Sequence, residues 1–293
     1  MRLSSRIMQS ETTLSGFEGK DLDVYYRTSL DRLTDAVEKA IVSSHAGAGR
    51  DAGQRRFWGS VLFTRLCTIS VSILWLSPRS KVNPAGKHWD FGSVASMARN
   101  LFECALQFYY LGVEPVSDDE WYARLKVMQL HDCLERYRMF RAFNPADPQL
   151  AAFEQQSTEL KELLQKNSYF QQLPETLKKA LLRAERTCVL TQDEILERMG
   201  RFDPTTRGYY RFLSSHAHSF PLAFYRMAEH NRGRGEENDV EKGYMASTLE
   251  FCADVMATST NAFRGSFADI SSFVPGKFDW NVLFSRREPS GHK

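Results

Sequence analysis

The 293-residue sequence has little excess charge of either sign, few cysteines and no long uninterrupted apolar run. Lys and Arg number 38 against 36 Asp and Glu, a net charge of +2. Any attraction to nucleic acid or to a membrane surface must therefore come from a local patch. Five cysteines (Cys67, Cys104, Cys133, Cys188 and Cys252) are an odd number, spaced about one per expected helix. That argues against a disulfide framework and predicts reduced, buried thiols in a cytoplasmic protein. The first fifteen residues are polar, which predicts no secretory leader. The most apolar stretch, 57–76, carries Thr64, Arg65, Thr68, Ser70 and Ser72. Its longest unbroken apolar piece falls short of the roughly 18–20 residues a bilayer span needs, so it reads as a buried helix and no membrane partner is expected.

Familiar catalytic motifs are missing too. There is no Walker A sequence, no Gly-x-Ser-x-Gly elbow, no His-Glu-x-x-His and no Glu-x-x-His pair. His216-Ala-His218 and His131-Asp-Cys133 lack companions at metal-ligand spacing, so neither a metal nor another cofactor is expected. The glycines at 47, 49 and 53 imitate a dinucleotide fingerprint by spacing alone, with no strand before them.

What the sequence does have is helical periodicity. Leu22, Tyr26, Leu30, Leu33, Val37 and Ile41 recur at three and four residues, predicting a helix over 21–44 and then a glycine-rich turn over 45–53. Further helices are expected over 54–76 and, capped by Ser93, to about 111. Ser117 with Glu120 reads as a capping box opening a helix to about 143. Helices follow around 150–164 and 177–188, and Thr191 with Glu194 makes a second capping box for a short helix ending near Gly200. The stretch 205–219 is another helix, 232–239 an exposed charged loop, and 244–263 a long last helix. The widest apolar faces, on 57–76, 93–111 and 244–263, should form the core. No stretch alternates with period two for long, so the fold class is all-α, a multi-helix bundle. The expected organisation is a flexible N-terminus 1–20, one helical domain 21–270 and an irregular tail 271–293. Phe273, Phe278, Trp280 and Phe284 predict that the tail docks on the body or on a partner.

Polar chemistry concentrates in 207–219. At about 100° per residue, Arg211 and His218 fall within roughly 20° of each other on a helix wheel, with Ser214 and Ser215 beside them. A permanently charged guanidinium next to an imidazole that titrates near neutrality suits phosphate chemistry; the same residues can also form a structural hydrogen-bond cluster. Arg99 and Glu103, four apart on an apolar helix, read either as a surface ion pair or as support for that cluster. Arg124, Lys126, Arg136, Arg138 and Arg141, interleaved with acids, read as a solvated mixed face or a phosphate track.

Taken together, Arg99-x3-Glu103 and the late Leu213-Ser214…His218 segment resemble a bacterial domain-of-unknown-function family over roughly 55–265. The late segment is also similar to the Arg-x4–6-His motif of the HEPN superfamily. Arg211 to His216 has its shortest spacing and Arg211 to His218 its longest. The resemblance implies a HEPN-like helical core. It also implies metal-independent ribonuclease chemistry in which Arg and His assist attack of the RNA 2′-hydroxyl on its own phosphodiester, often across a homodimer. The residue after Arg211 is Phe212, where many active members carry a polar residue.

Three functions stay open on the sequence. The first is a helical interaction or scaffold protein with a protein partner or a second copy, using the tail and the basic helix around 136–141. The second is a ribonuclease using Arg211 and His218, with His216, Arg99, Glu103, Tyr210, Ser214 and Ser215 in support. The third is a helical small-ligand pocket.

Overall fold

A computed structural model describes residues 17, 19, 21–50, 53–201, 204–218, 220–227, 232–267 and 278–280. Among them the chain is all-α, with eleven α-helices, one π-helical segment and no strand. It divides into two compact units, Met1–Phe108 with Asp203–Lys293, and Tyr109–Phe202.

In the first unit, α1 (Leu22–Gly47), α2 (Gly53–Leu76), α3 (Phe91–Phe108) and α11 (Asp239–Gly265) pack together, and α9 (Pro204–Ala217) lies along α3, followed by α10 (Pro221–Met227). The expected core helices are the core, joined by α1. Phe63 of α2 stacks on Phe263 of α11 at 4.1 Å, and Leu33, Val37, Leu101 and Leu249 are fully buried. Asp21 caps α1 by accepting from the amides of Asp23 and Val24, and Asn238 caps α11 by accepting from Glu241.

Several boundaries differ from the sequence reading. The helix α1 runs on to Gly47, three residues into the expected turn. Helix α3 starts at Phe91, because Asp90, not Ser93, receives the free amide: its Oδ1 accepts from Ser93 N at 3.1 Å. Helix α10 was not expected; Pro221 supplies its start.

The second unit holds the π-helical segment Tyr109–Val113, α4 (Asp118–Phe143), α5 (Gln149–Lys166), the single turn α6 (Ser168–Gln171), α7 (Glu175–Leu182) and α8 (Gln192–Arg198). Its own core gathers Val127, Leu130, Leu160, Leu164, Phe170 and Leu181. The helix expected to reach Cys188 ends at Leu182, since Ala184 takes a left-handed backbone (φ 55°). Thr191 and Glu194 form the full capping box of α8. Ser117 makes only half of one: it accepts from Glu120 N, but the Glu120 carboxylate is spent on Arg124 and Arg198.

Part of the aromatic tail does dock, with Trp280 Nε1 donating to Glu38 Oε1 of α1 at 2.7 Å. Phe273 and Phe284 lie outside the described residues. The five cysteines form no disulfide and are buried, and burial raises the Cys67 thiol to about 12 and Cys104 to about 11, far from nucleophilic.

Candidate functional site

Helix α9 has two chemically distinct faces. Four ring-bearing residues face inward. Tyr209 stacks on Phe251 of α11 at 5.0 Å and shares a hydrogen bond with Ser247. Tyr210 packs on Phe102, Phe212 on Phe91 and Tyr244, and His216 edge-on against Phe91 and Phe212 at 4.7 and 5.0 Å. Leu213 is fully buried between them.

This face also gathers the supporting residues expected from the sequence. Arg99 Nη2 pairs with Glu103 Oε1 at 2.8 Å, and Arg99 Nε donates to Ser214 Oγ at 3.0 Å. The Tyr210 hydroxyl accepts from Arg99 Nη2 at 3.3 Å and donates to Glu103 Oε1 at 3.1 Å. The four side chains thus close one network between α3 and α9. Ser215 is turned back on its own helix, its Oγ donating to the Arg211 carbonyl at 2.9 Å.

His216 sits in a cage of rings. Burial, with the positive charge of Arg232, brings its pKa down to about 4, so it is neutral at pH 7. Arg232, expected in an exposed loop, is itself only 4% exposed. The last helix explains this: Tyr244 offers its ring to the guanidinium at 4.6 Å, and Glu241 offers a carboxylate at 3.7 Å. The loop is held further by Trp89 N donating to Gly235 O at 3.0 Å. Gly235 has φ 80°, and a Cβ there would meet the His88 ring at 2.7 Å.

The outer face is different. Arg207 and Arg211, four apart, and His218, seven further on, are exposed. Between residues 204 and 227 the sequence holds no Asp or Glu, although Asp203 stands four residues before Arg207. The structure thus separates the expected site residues, with Arg211 and His218 outside and His216, Arg99, Glu103, Tyr210 and Ser214 inside.

Directly after His218 come residues the sequence reading passed over. Phe220, Leu222, Phe224 and Tyr225 are exposed, Tyr225 to 65%, and the rings of His218 and Phe220 are 5.4 Å apart. The signal that could have found them is the acid-free run, in which aromatics follow arginines.

The expected basic face of α4 needs one correction. Arg124 is fully buried, held by Glu114 at 2.6 Å, by Glu120 and by the Tyr110 carbonyl at 2.7 Å, with the Tyr110 ring 4.3 Å away. Burial opposes its charge, but the hydrogen bond to Glu114 leads the opposing effects that keep its pKa raised. Arg138 lies on the surface, pairing with Glu135 and donating to the Arg183 carbonyl at 2.8 Å, while Arg136 pairs with Asp132.

The glycine-rich turn after α1 borders a hollow of about 350 Å³, lined by Gly47, Gly49, Arg50, Gly53 and Phe57 among others. None of the expected site residues lines it. Among the described residues no group of three His, Cys, Asp or Glu side chains could hold a metal ion.

No curated protein and no solved structure matches the chain. One family model does, over residues 56–236, a stretch that includes the Arg99–Glu103 pair, all of α9 and the exposed aromatics of α10. With well over half of its length matched, the chain belongs to the DUF5677 family, a family of unknown function.

Proposed function

We propose that the protein is a helical interaction module whose binding face is the outer side of α9 and α10, and that its ligand is single-stranded RNA. One observation carries this reading: Arg211 and His218, exposed on one side of α9, are followed by exposed Phe220, Phe224 and Tyr225, in a stretch whose sequence holds no acid from 204 to 227. Guanidinium groups neutralise phosphates, and exposed rings offer stacking planes for unpaired bases. A protein partner would use the same aromatic and arginine types. The lack of carboxylates favours a polyanion.

The test is fluorescence anisotropy of a labelled single-stranded RNA with the full chain. Phe224→Ala and Tyr225→Ala should each weaken binding by about 1–3 kcal/mol if bases stack there. Absence of binding, or equal binding by wild type and both variants, would overturn the reading and leave a protein partner for this face.

The separate exposure of His218 favours a second, finer reading. In it, His218 takes the proton from the 2′-hydroxyl, the freed oxygen bonds to the adjacent phosphorus as the P–O5′ bond breaks, the 5′-oxygen leaves with a proton from water, and Arg211 stabilises the charge of the phosphorane, in the manner the HEPN similarity implies. His216, neutral and caged, does not take part as the acid. His218→Ala should abolish cleavage in EDTA with 2′,3′-cyclic phosphate products, while leaving most of the binding. Binding without cleavage by wild type would retire the catalytic reading alone.

A further inference from the structure

Helix α2 is apolar on both sides. One side builds the core through Phe63, Leu66, Ile69, Ile73 and Leu74. On the other, Phe57, Val61, Thr64, Thr68 and Trp75 are exposed and Val71 half-buried. Phe57 is 58% exposed and Trp75 46%. These six positions are spaced by four, three, four, three and four residues, the repeat with which one helix packs along another. At 1.5 Å per residue the seam is about 27 Å long.

The order of side chains along the seam is symmetric. Turned end for end about Leu66, the helix brings Phe57 opposite Trp75, Val61 opposite Val71 and Thr64 opposite Thr68. Large rings meet large rings, β-branched aliphatics meet each other, and the small hydroxyl residues meet at the centre. The hydroxyls there already have partners: Thr68 Oγ1 donates to the Thr64 carbonyl at 3.0 Å, and Thr64 Oγ1 shares a hydrogen bond with Ser44 Oγ of α1 at 3.5 Å. An isologous interface requires such self-complementarity, since each residue must suit its two-fold counterpart.

We propose that a second copy of this chain packs on this face of α2, the two α2 helices antiparallel about a two-fold axis near Leu66. A lipid bilayer is the competing occupant, because α2 is long and apolar enough to cross one by length and composition. Two features disfavour it: 44% of its most apolar window is buried within the chain, and Arg65 is exposed near the helix midpoint, where a charge in hydrocarbon is costly.

The experiment uses the full chain in two parts. Sedimentation equilibrium should give a dimer for wild type and half that mass for Val61→Glu/Trp75→Glu, with the helical circular dichroism of both unchanged. Val61 is 43% and Trp75 46% exposed, and the circular dichroism and melting temperature of the variant separate loss of the dimer from loss of the fold. Next, Val61→Cys and Val71→Cys chains carrying different tags are mixed under mild oxidation. A disulfide between the two variants, exceeding that within either variant alone, reports the antiparallel register. A monomeric wild type, a dimer indifferent to Val61→Glu/Trp75→Glu, or crosslinking of Val61→Cys to itself would each overturn the proposal. So would flotation of a wild-type monomer with phosphatidylcholine vesicles, which would assign the face to lipid.

Discussion

Arg124 in the second unit and Arg211 in the first are both helix arginines in charge-rich sequence, yet they are placed for opposite purposes. Arg124 is fully buried, with carboxylates on two sides, a carbonyl and a tyrosine ring around it. Arg211 is exposed on a helix with no acid a turn away in either direction. Arg99 lies between the two extremes, partly covered and closed into a network with Glu103, Tyr210 and Ser214. The difference teaches what each position can do. A guanidinium surrounded by carboxylates holds the fold and has no charge to spare for a ligand. One that lacks them costs the fold little and keeps its field for a ligand.

The comparison breaks most visibly at Arg124. Arg124→Ala would leave the largely buried Glu114 and Glu120 carboxylates with Arg198 as their remaining cation, and should cost about 3 kcal/mol in urea unfolding of the second unit. A loss below 1 kcal/mol would mean that this cluster is no more structural than the surface arginines.

His216 gives the next largest effect, and a pH dependence. Its folded pKa of about 4 lies below its ordinary value of 6.5, so between those values the unfolded chain binds more protons than the folded one. Stability is therefore fully present above pH 6.5 and is lost as pH falls towards 4. Discounted for the ring's partial solvent contact, the loss should reach about 2 kcal/mol. His216→Phe should flatten this part of the stability curve, and an unchanged slope would show that the cage does not exclude the proton.

Tyr210→Phe removes the hydroxyl that joins Arg99 to Glu103 and should cost about 1 kcal/mol by thermal melting. Arg211→Ala and His218→Ala should change stability by no more than about 0.5 kcal/mol.

Much of this was legible in the sequence, for identifiable reasons. The amphipathic periods of α1 and α11 and the Thr191–Glu194 cap are local patterns, and local patterns survive into the fold. The Arg99–Glu103 pair was within reach because i,i+4 spacing brings the ions together whatever the tertiary context, whereas its tie to Tyr210 and Ser214 was one of two readings the spacing left open. The burial of Arg124 was not legible: its partners Glu114 and the Tyr110 carbonyl lie outside its helix, before Pro115, and only Glu120 shares its helix. The same holds for Arg232, whose cover of Tyr244 and Glu241 comes from α11. A helix wheel sets His216 about 140° from Arg211, but which of the two sides is enclosed is told only by the rings packed on His216, Phe91 and Phe212.

The most direct test of the account is the salt dependence of single-stranded RNA binding by wild type and Arg211→Ala. If Arg211 contacts one phosphate, the variant should bind more weakly at low salt, and its slope of log affinity against log salt should be shallower by about 0.7, at unchanged melting temperature. Arg124→Lys, judged on folded protein only, should keep the wild-type slope. The account would be contradicted if Arg211→Ala bound RNA with the affinity and salt slope of wild type.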